Sequence, residues 1–292
     1  MFPTTDQSET IINCFLDEAK RLEVPIYTKV KVSDIHVKDA KFELGIKDPF
    51  DRLILATGSS PIGWEMARHL GHSLVRSVPS LFTLNIKDFS LVEYAGISVP
   101  KATIRVQGTK LQQTGPLLIT HWGFSGPAAL KLSAFGANYF AENHYSAPIS
   151  VNWIPELSEA EFLDSVFSAP KKKTLGNIPD PPLPRNLWKH LCASFDTSIA
   201  SLGKKAAITL YQKLTNDLYT LKGKTTNKDE FVTCGGIPLS EVDFKTMESK
   251  ICPGLYFCGE VLNVDGVTGG FNFQNAWTTG WIAGRAASSW EK

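Results

Sequence analysis

The chain has no glycine before Gly45. A phosphate-gripping G-x-G-x-x-G turn needs glycines where backbone approaches a pyrophosphate closely, so the first 44 residues cannot form one. Paired cysteines are also missing. Cys14, Cys192, Cys234, Cys252 and Cys258 form no C-x-x-C, which excludes thioredoxin-like and zinc-ribbon chemistry and leaves reduced, buried thiols. His69 and His72 make an H-x-x-H without a further ligand cluster, so no metal is expected. No apolar run approaches the ~20 residues of a membrane-spanning helix. The polar start MFPTTDQSET lacks the pattern of a secretory leader or a transit peptide. Charge of one sign is absent too. The 30 Lys+Arg offset 29 Asp+Glu to a net +1, and the basic run Lys171–Lys173 reads as a solvated loop beside prolines. Neither nucleic acid nor an anionic membrane is therefore expected as a partner. The expectation is a soluble intracellular protein, cytoplasmic or organellar.

What is present is a globular composition, 43% hydrophobic and 20% charged over 292 residues, enough for two or three packed units. Ser8 to Leu22 spaces Ile11, Ile12, Phe15, Leu16, Ala19 and Leu22 as one helix face. VPIYTKVKV, DIHV and KFELGI alternate as a small antiparallel meander would. RLILATG reads as a strand entering a glycine turn. Ser60 and Pro61 then open a helix with Ile62, Met66 and Leu70 on one face, ended by Gly71. Strand patterns dominate from Ser77 to Trp153 (ATIRVQG, GPLLITHW, APISVNW), with a helix signal at Ser125-Gly126-Pro127. Helical patterns dominate from Leu157 to Asn216 around a proline cluster, and Asp229 to Lys292 returns to α/β character. The fold class is α/β. Residues 1–76 and 231–292 form one domain, 77–153 and 217–230 an inserted β-rich domain, and 154–216 a small helical lobe.

The richest stretch is GLYFCGEVLNVDGVTGGFNFQNAWTTGWIAG, Gly254 to Gly284. Leu255 to Cys258 is apolar without alternation, as in a strand covered on both faces. Gly259-Glu260 ends it at the strand edge where ligands of open α/β sheets gather, and a carboxylate there can accept from sugar or ribityl hydroxyls. Gly266, Gly269 and Gly270 allow backbone to approach a flat ligand, and a helix from about Phe271 aims its N–H groups at negative charge. Ala276, Gly280, Ala283 and Ala287 suit close packing on the sheet. A glycine-rich strand–helix turn without a ligand would carry the same residues. Ala56-Thr57-Gly58 is a second small-residue turn of this kind, weaker alone.

FVTCGGIPLSEVDFKTMESKICPGLYFCGEVLNVDGVTGGFNFQNAWTTGWIAG closely resembles the end of bile-acid dehydroreductase-like and aminoacetone-oxidase-like FAD proteins. GPLLITHWGFSGPAALKLS is similar to that family's mid-chain segment, and RLILATG and LGHSLVRSVPSLFTL to its join between FAD domain and barrel. The resemblance implies an FAD-binding, Rossmann-like domain interrupted by a β-barrel-like domain with a helical lobe. It implies bound FAD, with NAD(P)H as electron donor and a small-molecule substrate. It carries cofactor contacts onto Ala56, Thr57, Gly58, Gly235, Gly236, Gly259, Glu260, Asp265, Gly266, Gly269, Gly270, Phe271 and Asn272. His121 and Ser125 fall on the substrate side of the family's motif, though a structural histidine at a strand end and a helix-capping serine account for them equally. Ser59 stands where the family has glycine, in a shorter loop. The family's first strand, phosphate loop, helix and ribose-binding acid have no counterpart here. The resemblance therefore implies a fragment or short isoform in which FAD binding is impaired.

No acid–base pair stands out, so no catalytic residue is assigned. The leading expectation is an FAD-dependent oxidoreductase transferring hydride through flavin. The alternatives are a non-catalytic truncated paralogue that binds a partner and a tRNA-modifying flavoprotein, the latter disfavoured by the near-neutral charge.

Overall fold

The computed structural model describes residues 3–32, 34–46, 49–225 and 232–289, in two compact units, Met1–Asp51 and Arg52–Lys292. The divisions drawn at residues 230 and 231 fall in the segment 226–231, outside the described residues.

In the first unit the helix α1 (Ser8–Arg21) forms where the apolar spacing places it. It ends by a left-handed Glu23 (φ 55°), with Val24 N–H reaching back to Ala19 O at 2.9 Å. None of its residues is buried. The strands β1 (His36–Lys38) and β2 (Lys41–Glu43) form a hairpin around Asp39-Ala40, both at positive φ, as a two-residue turn requires. The third strand expected from VPIYTKVKV does not form. Val24, Ile26, Tyr27 and Val30 are exposed, so the alternation there marks no buried strand face.

The second unit opens with β3 (Leu53–Leu55) and α2 (Pro61–His69). Ser60 sits at the N-cap and Pro61 at N1 as expected, but the buried face is Gly63, Trp64, Met66 and Ala67. Ile62 points outward, because the Trp64 indole turns in to donate to Val261 O at 3.0 Å. β4 (Val75–Ser80) follows, then β5 (Thr83–Ile86), β6 (Ser98–Val106), β7 (Gln112–Ile119) and β8 (Gly123–Ser125). α3 (Gly126–Phe135), α4 (Ala137–Glu142) and β9 (Ser146–Asn152) come next. The helices α5 (Glu159–Ser168), α6 (Arg185–Cys192) and α7 (Lys204–Thr215) lead to β10 (Asp217–Thr225) and β11 (Val232–Gly236). β12 (Val242–Asp243), β13 (Glu248–Ser249), β14 (Leu255–Phe257) and α8 (Phe271–Ser288) complete the chain.

Six strands close into a barrel in the order β10-β5-β8-β7-β6-β9, every described pairing antiparallel. Leu84, Ile104, Leu117, Phe124 and Ile149 fill it, and the same apolar cluster runs on into Phe162, Val166, Leu187, Trp188 and Leu191 of α5 and α6. Buried polar ends are matched. Trp153 Nε1 donates to Asp217 Oδ2 at 2.9 Å, and Trp188 Nε1 to Leu175 O at 2.9 Å. A capping box between Ser158 and Glu161 starts α5.

The remaining strands make a four-stranded sheet in the order β12-β13-β14-β3 and a two-stranded pair, β11 with β4. β14 and β3 run parallel, and α8 lies against both. No helix among the described residues is long and apolar enough to cross a membrane.

Candidate functional site

Parallel pairing sets two turns side by side. Leu255, Tyr256 and Phe257 align with Leu53, Ile54 and Leu55, and the ladder closes with Cys258 N–H on Leu55 O at 3.1 Å. Ala56-Thr57-Gly58 and Gly259-Glu260 therefore leave the sheet together at its carboxyl edge. A Cβ at Gly63 would lie 1.8 Å from Thr57 Oγ1, so the Thr57 side chain packs onto the first turn of α2. Gly58 (φ 59°) has open space where a Cβ would be.

β11 ties the second turn down. The Glu260 carboxylate is half-buried and accepts a hydrogen bond from the Thr233 backbone; burial pushes its pKa up, partly offset by that bond. Asp265 accepts from Ser80 Oγ at 3.0 Å and from the Cys234 thiol. Burial, then the Asp265 charge and hydrogen bond, push Cys234 up to about 11, so this thiol stays protonated at neutral pH. Gly235 N–H donates to Asn263 Oδ1 at 3.1 Å, and Ile237 N–H to Val261 O at 2.9 Å. Gly235 and Gly236 are glycines for packing. At φ 114° and 124°, their Cβ atoms would lie 2.4 Å from Arg76 O and 2.6 Å from Val261 O.

The loop before α8 is closed by its own amide. Asn272 Oδ1 accepts from Gly266 N at 2.7 Å, and Asn272 Nδ2 donates to Gly266 O at 3.0 Å. Both ends of the Asn272 amide are thus engaged in holding the loop, and a Cβ at Gly266 would crowd Phe271 Cβ at 2.8 Å. A Cβ at Gly269 would touch the Phe271 ring. Gly270 (φ 86°) caps α8 with nothing within 4 Å of its Cβ position. Open, left-handed glycines thus stand at residues 58 and 270, with a carboxylate nearby in sequence and the N-terminus of an 18-residue helix at residue 271. A flat, polar ligand that brings hydroxyls and partial negative charge suits such a setting.

The chain matches the HI0933-like protein Rossmann domain over residues 1–286. It belongs to that family. It is 30% identical to a 3-dehydro-bile acid delta(4,6)-reductase of Clostridium scindens, over 99% of this chain and 75% of the relative. It is 29% identical to a ribosomal RNA dihydrouridine synthase of Escherichia coli, over 94% of this chain and 71% of the relative. A protein of the same name in Haemophilus influenzae is 28% identical, over 96% of this chain and 73% of the relative.

In this HI0933-like chain the remaining motif residues belong to the barrel. Ser125 begins α3 but does not cap it with its side chain; its Oγ accepts from Thr83 Oγ1 at 3.1 Å. Thr83 lies three residues beyond Ser80, which holds Asp265, so one short segment touches both motifs. His121 is exposed beside Trp122 between β7 and β8. The H-x-x-H residues part company. His69 faces outward to Glu65, whereas His72 is buried between Glu241 Oε2 and Ser249 Oγ, 2.8 Å from each.

Sequence reasoning missed Ser80, Asn263 and Thr279. Thr279 Oγ1 accepts from Gly259 N–H at 2.9 Å and donates to Asn275 O at 2.7 Å. The available signal was a threonine on the same helix face as Ala276 and Ala283. Gly280, in contrast, was expected to permit close packing, and a Cβ there meets nothing within 4 Å. Gly280 is half-buried at the border of the packed face of α8.

Proposed function

We propose that the turns at residues 56–58, 259–260 and 265–270 face the isoalloxazine and ribityl part of FAD, and that the protein acts as an FAD-dependent oxidoreductase with NAD(P)H as electron donor. The observation that carries this reading is the parallel pairing of β3 with β14, which brings Gly58 and Glu260 to one sheet edge, with Gly259 against Ala276 and Thr279 of α8. Bound FAD would supply hydride transfer between a nicotinamide and the substrate. The chain's own part is positional. Gly58 and Gly270 leave room for a flat ring, Glu260 accepts from ribityl hydroxyls, and the α8 N-terminus favours negative charge on the ring's pyrimidine edge. Asp265 and Asn272 hold the loop rather than reach outward.

The substrate class we infer is a small molecule with an unsaturated ring. The relative named a 3-dehydro-bile acid delta(4,6)-reductase supports this reading. In the same proposal the barrel with its helical lobe is an insertion within the cofactor domain that bounds the substrate side, where His121 and Ser125 sit. A second reading, a flavoprotein acting on RNA, draws support from the two ribosomal RNA relatives. The net charge of +1 speaks against it, since phosphate contacts dominate RNA affinity.

The test is a titration with FAD followed by NAD(P)H oxidation in the presence of ring-unsaturated acceptors, with an RNA arm in parallel. Saturable FAD binding and acceptor-dependent NAD(P)H consumption are expected. FAD binding without turnover would favour the non-catalytic alternative, and turnover on RNA alone would favour the second reading.

A further inference from the structure

The last ladder hydrogen bond of β14 is made by Cys258 N–H. The next amide, Gly259 N–H, has left the sheet and is buried. A buried amide without an acceptor is costly, so something must take it. Thr279 does, from two turns into α8, at 2.9 Å. Its single hydroxyl proton goes to Asn275 O at 2.7 Å, one turn back along the helix, which orients the oxygen lone pairs toward Gly259. The threonine is 8% exposed, its χ1 is restricted by β-branching, and its oxygen is engaged both ways.

Gly259 stands at φ 74°, and the turn it begins is closed by Leu262 N–H on Gly259 O at 3.3 Å. Glu260 hangs from the middle of that turn. Its carboxylate is fixed at the far end by Thr233 of β11. The Glu260 side chain is thus held between two supports, β11 at the carboxylate and Thr279 at the backbone.

We propose that Thr279 is a positioning residue for flavin binding: by holding Gly259 N–H it sets the direction from which the Glu260 carboxylate meets a ribityl hydroxyl. This rests on the flavin reading given above. Thr279 itself touches no ligand. Its effect passes through Glu260, and a change at residue 279 costs nothing further once Glu260 no longer accepts.

The experiment compares wild type, Thr279→Val, Thr279→Ser and Glu260→Ala in the full chain. It measures amide hydrogen exchange at Gly259 and the FAD dissociation constant. Valine keeps the shape and removes the acceptor; serine restores it. Thr279→Val is expected to speed Gly259 exchange by tenfold or more and to weaken FAD binding about tenfold. Thr279→Ser is expected to stay within about twofold of wild type in both. In the Glu260→Ala background, Thr279→Val should weaken FAD binding no further. If Thr279→Val does not fold, Thr279→Ala makes the same comparison. Faster exchange or a lower melting temperature with unchanged FAD affinity would reduce Thr279 to a structural residue and overturn the proposal. So would independent, multiplying losses in the double variant. A wild type that shows no FAD binding at millimolar concentration would instead defeat the flavin reading itself, and the proposal with it.

Discussion

The barrel with its helical lobe and the small sheet with α8 come from one chain and solve burial differently. The barrel closes on itself, so no strand edge is left open, and its interior continues without a break into the lobe. The sheet is open. β3 is its last strand, and Ile54 on that strand is exposed. α8 covers the sheet with Thr279 and Ala283 and turns large aromatics outward, Phe273 at 70% exposure and Trp281 at 69%, with Trp277 between them. Phe273, Trp277, Trp281 and Arg285 follow one another at four-residue steps, so they line one face. The difference separates a closed, packed scaffold from an open and partly exposed sheet. The closed half is a scaffold whose polar groups are matched internally. The open half carries the carboxylate with a raised pKa, the aromatic face of α8 and two left-handed glycines in open space, Gly58 and Gly270; the barrel has such glycines as well, at Gly96 and Gly108.

The largest effect should come from breaking the closed half. Trp188→Ala removes a fully buried indole and its hydrogen bond to Leu175, and should cost about 3–5 kcal/mol in urea unfolding. A loss under 1 kcal/mol would mean that the lobe is not packed as described. Next is Gly235→Ala. Its Cβ would meet Arg76 O at 2.4 Å and its φ is 114°, so about 2–4 kcal/mol should be lost with the β11–β4 pairing. Gly270→Val sharpens the contrast, because the space there is open. The left-handed φ should cost about 1–2 kcal/mol while FAD binding falls by far more than stability does. Equal FAD affinity in wild type and variant would place the cofactor elsewhere.

Smaller effects concern the exposed surface and the raised carboxyl. Replacing Trp277 and Trp281 together by Gln should change stability by no more than about 1 kcal/mol, and should weaken any self-association that sedimentation shows for wild type. An unchanged distribution would remove that face as a source of association. The smallest effect is Glu260→Gln without ligand. Burial raises the Glu260 pKa, so the folded state tolerates the neutral form better, and that advantage is lost as pH rises through the folded value. The variant should therefore melt above wild type at pH 7, and the gap should close toward pH 4. A gap that widens on acidification would show the carboxylate stabilised in the fold, the reverse of this account.

Much of this was legible in the sequence, for identifiable reasons. Helix α1, the main barrel strands and the α5 and α6 faces repeat apolar residues at regular spacing, and burial follows spacing where an element has a partner. The glycine-rich run before α8 announced its turn. The segment from Val24 to Val32 was misread because alternation says nothing of whether a neighbouring strand exists. The α2 face was misread because Trp64 has a backbone acceptor at Val261, almost 200 positions away. Ser80 was invisible for the same reason, since it acts by one hydrogen bond to a residue 185 positions away, and for Thr279 only its helix face gave a signal. Sequence alone did not separate the glycines at 235 and 236, which neighbouring backbone requires, from those at 58 and 270, which face open space.

That last distinction gives the most direct test of the central claim, that the open edge of β3 and β14 is the flavin-facing part of the molecule. The 22 glycines are natural reporters, labelled by growth on nitrogen-15 glycine and observed as backbone amides while FAD is added, a readout that tolerates weak binding. The account expects the largest shifts at Gly58, Gly259, Gly269 and Gly270, with the barrel glycines Gly108, Gly115 and Gly223 unmoved. Shifts concentrated on the barrel glycines, or none anywhere at millimolar FAD, would contradict it.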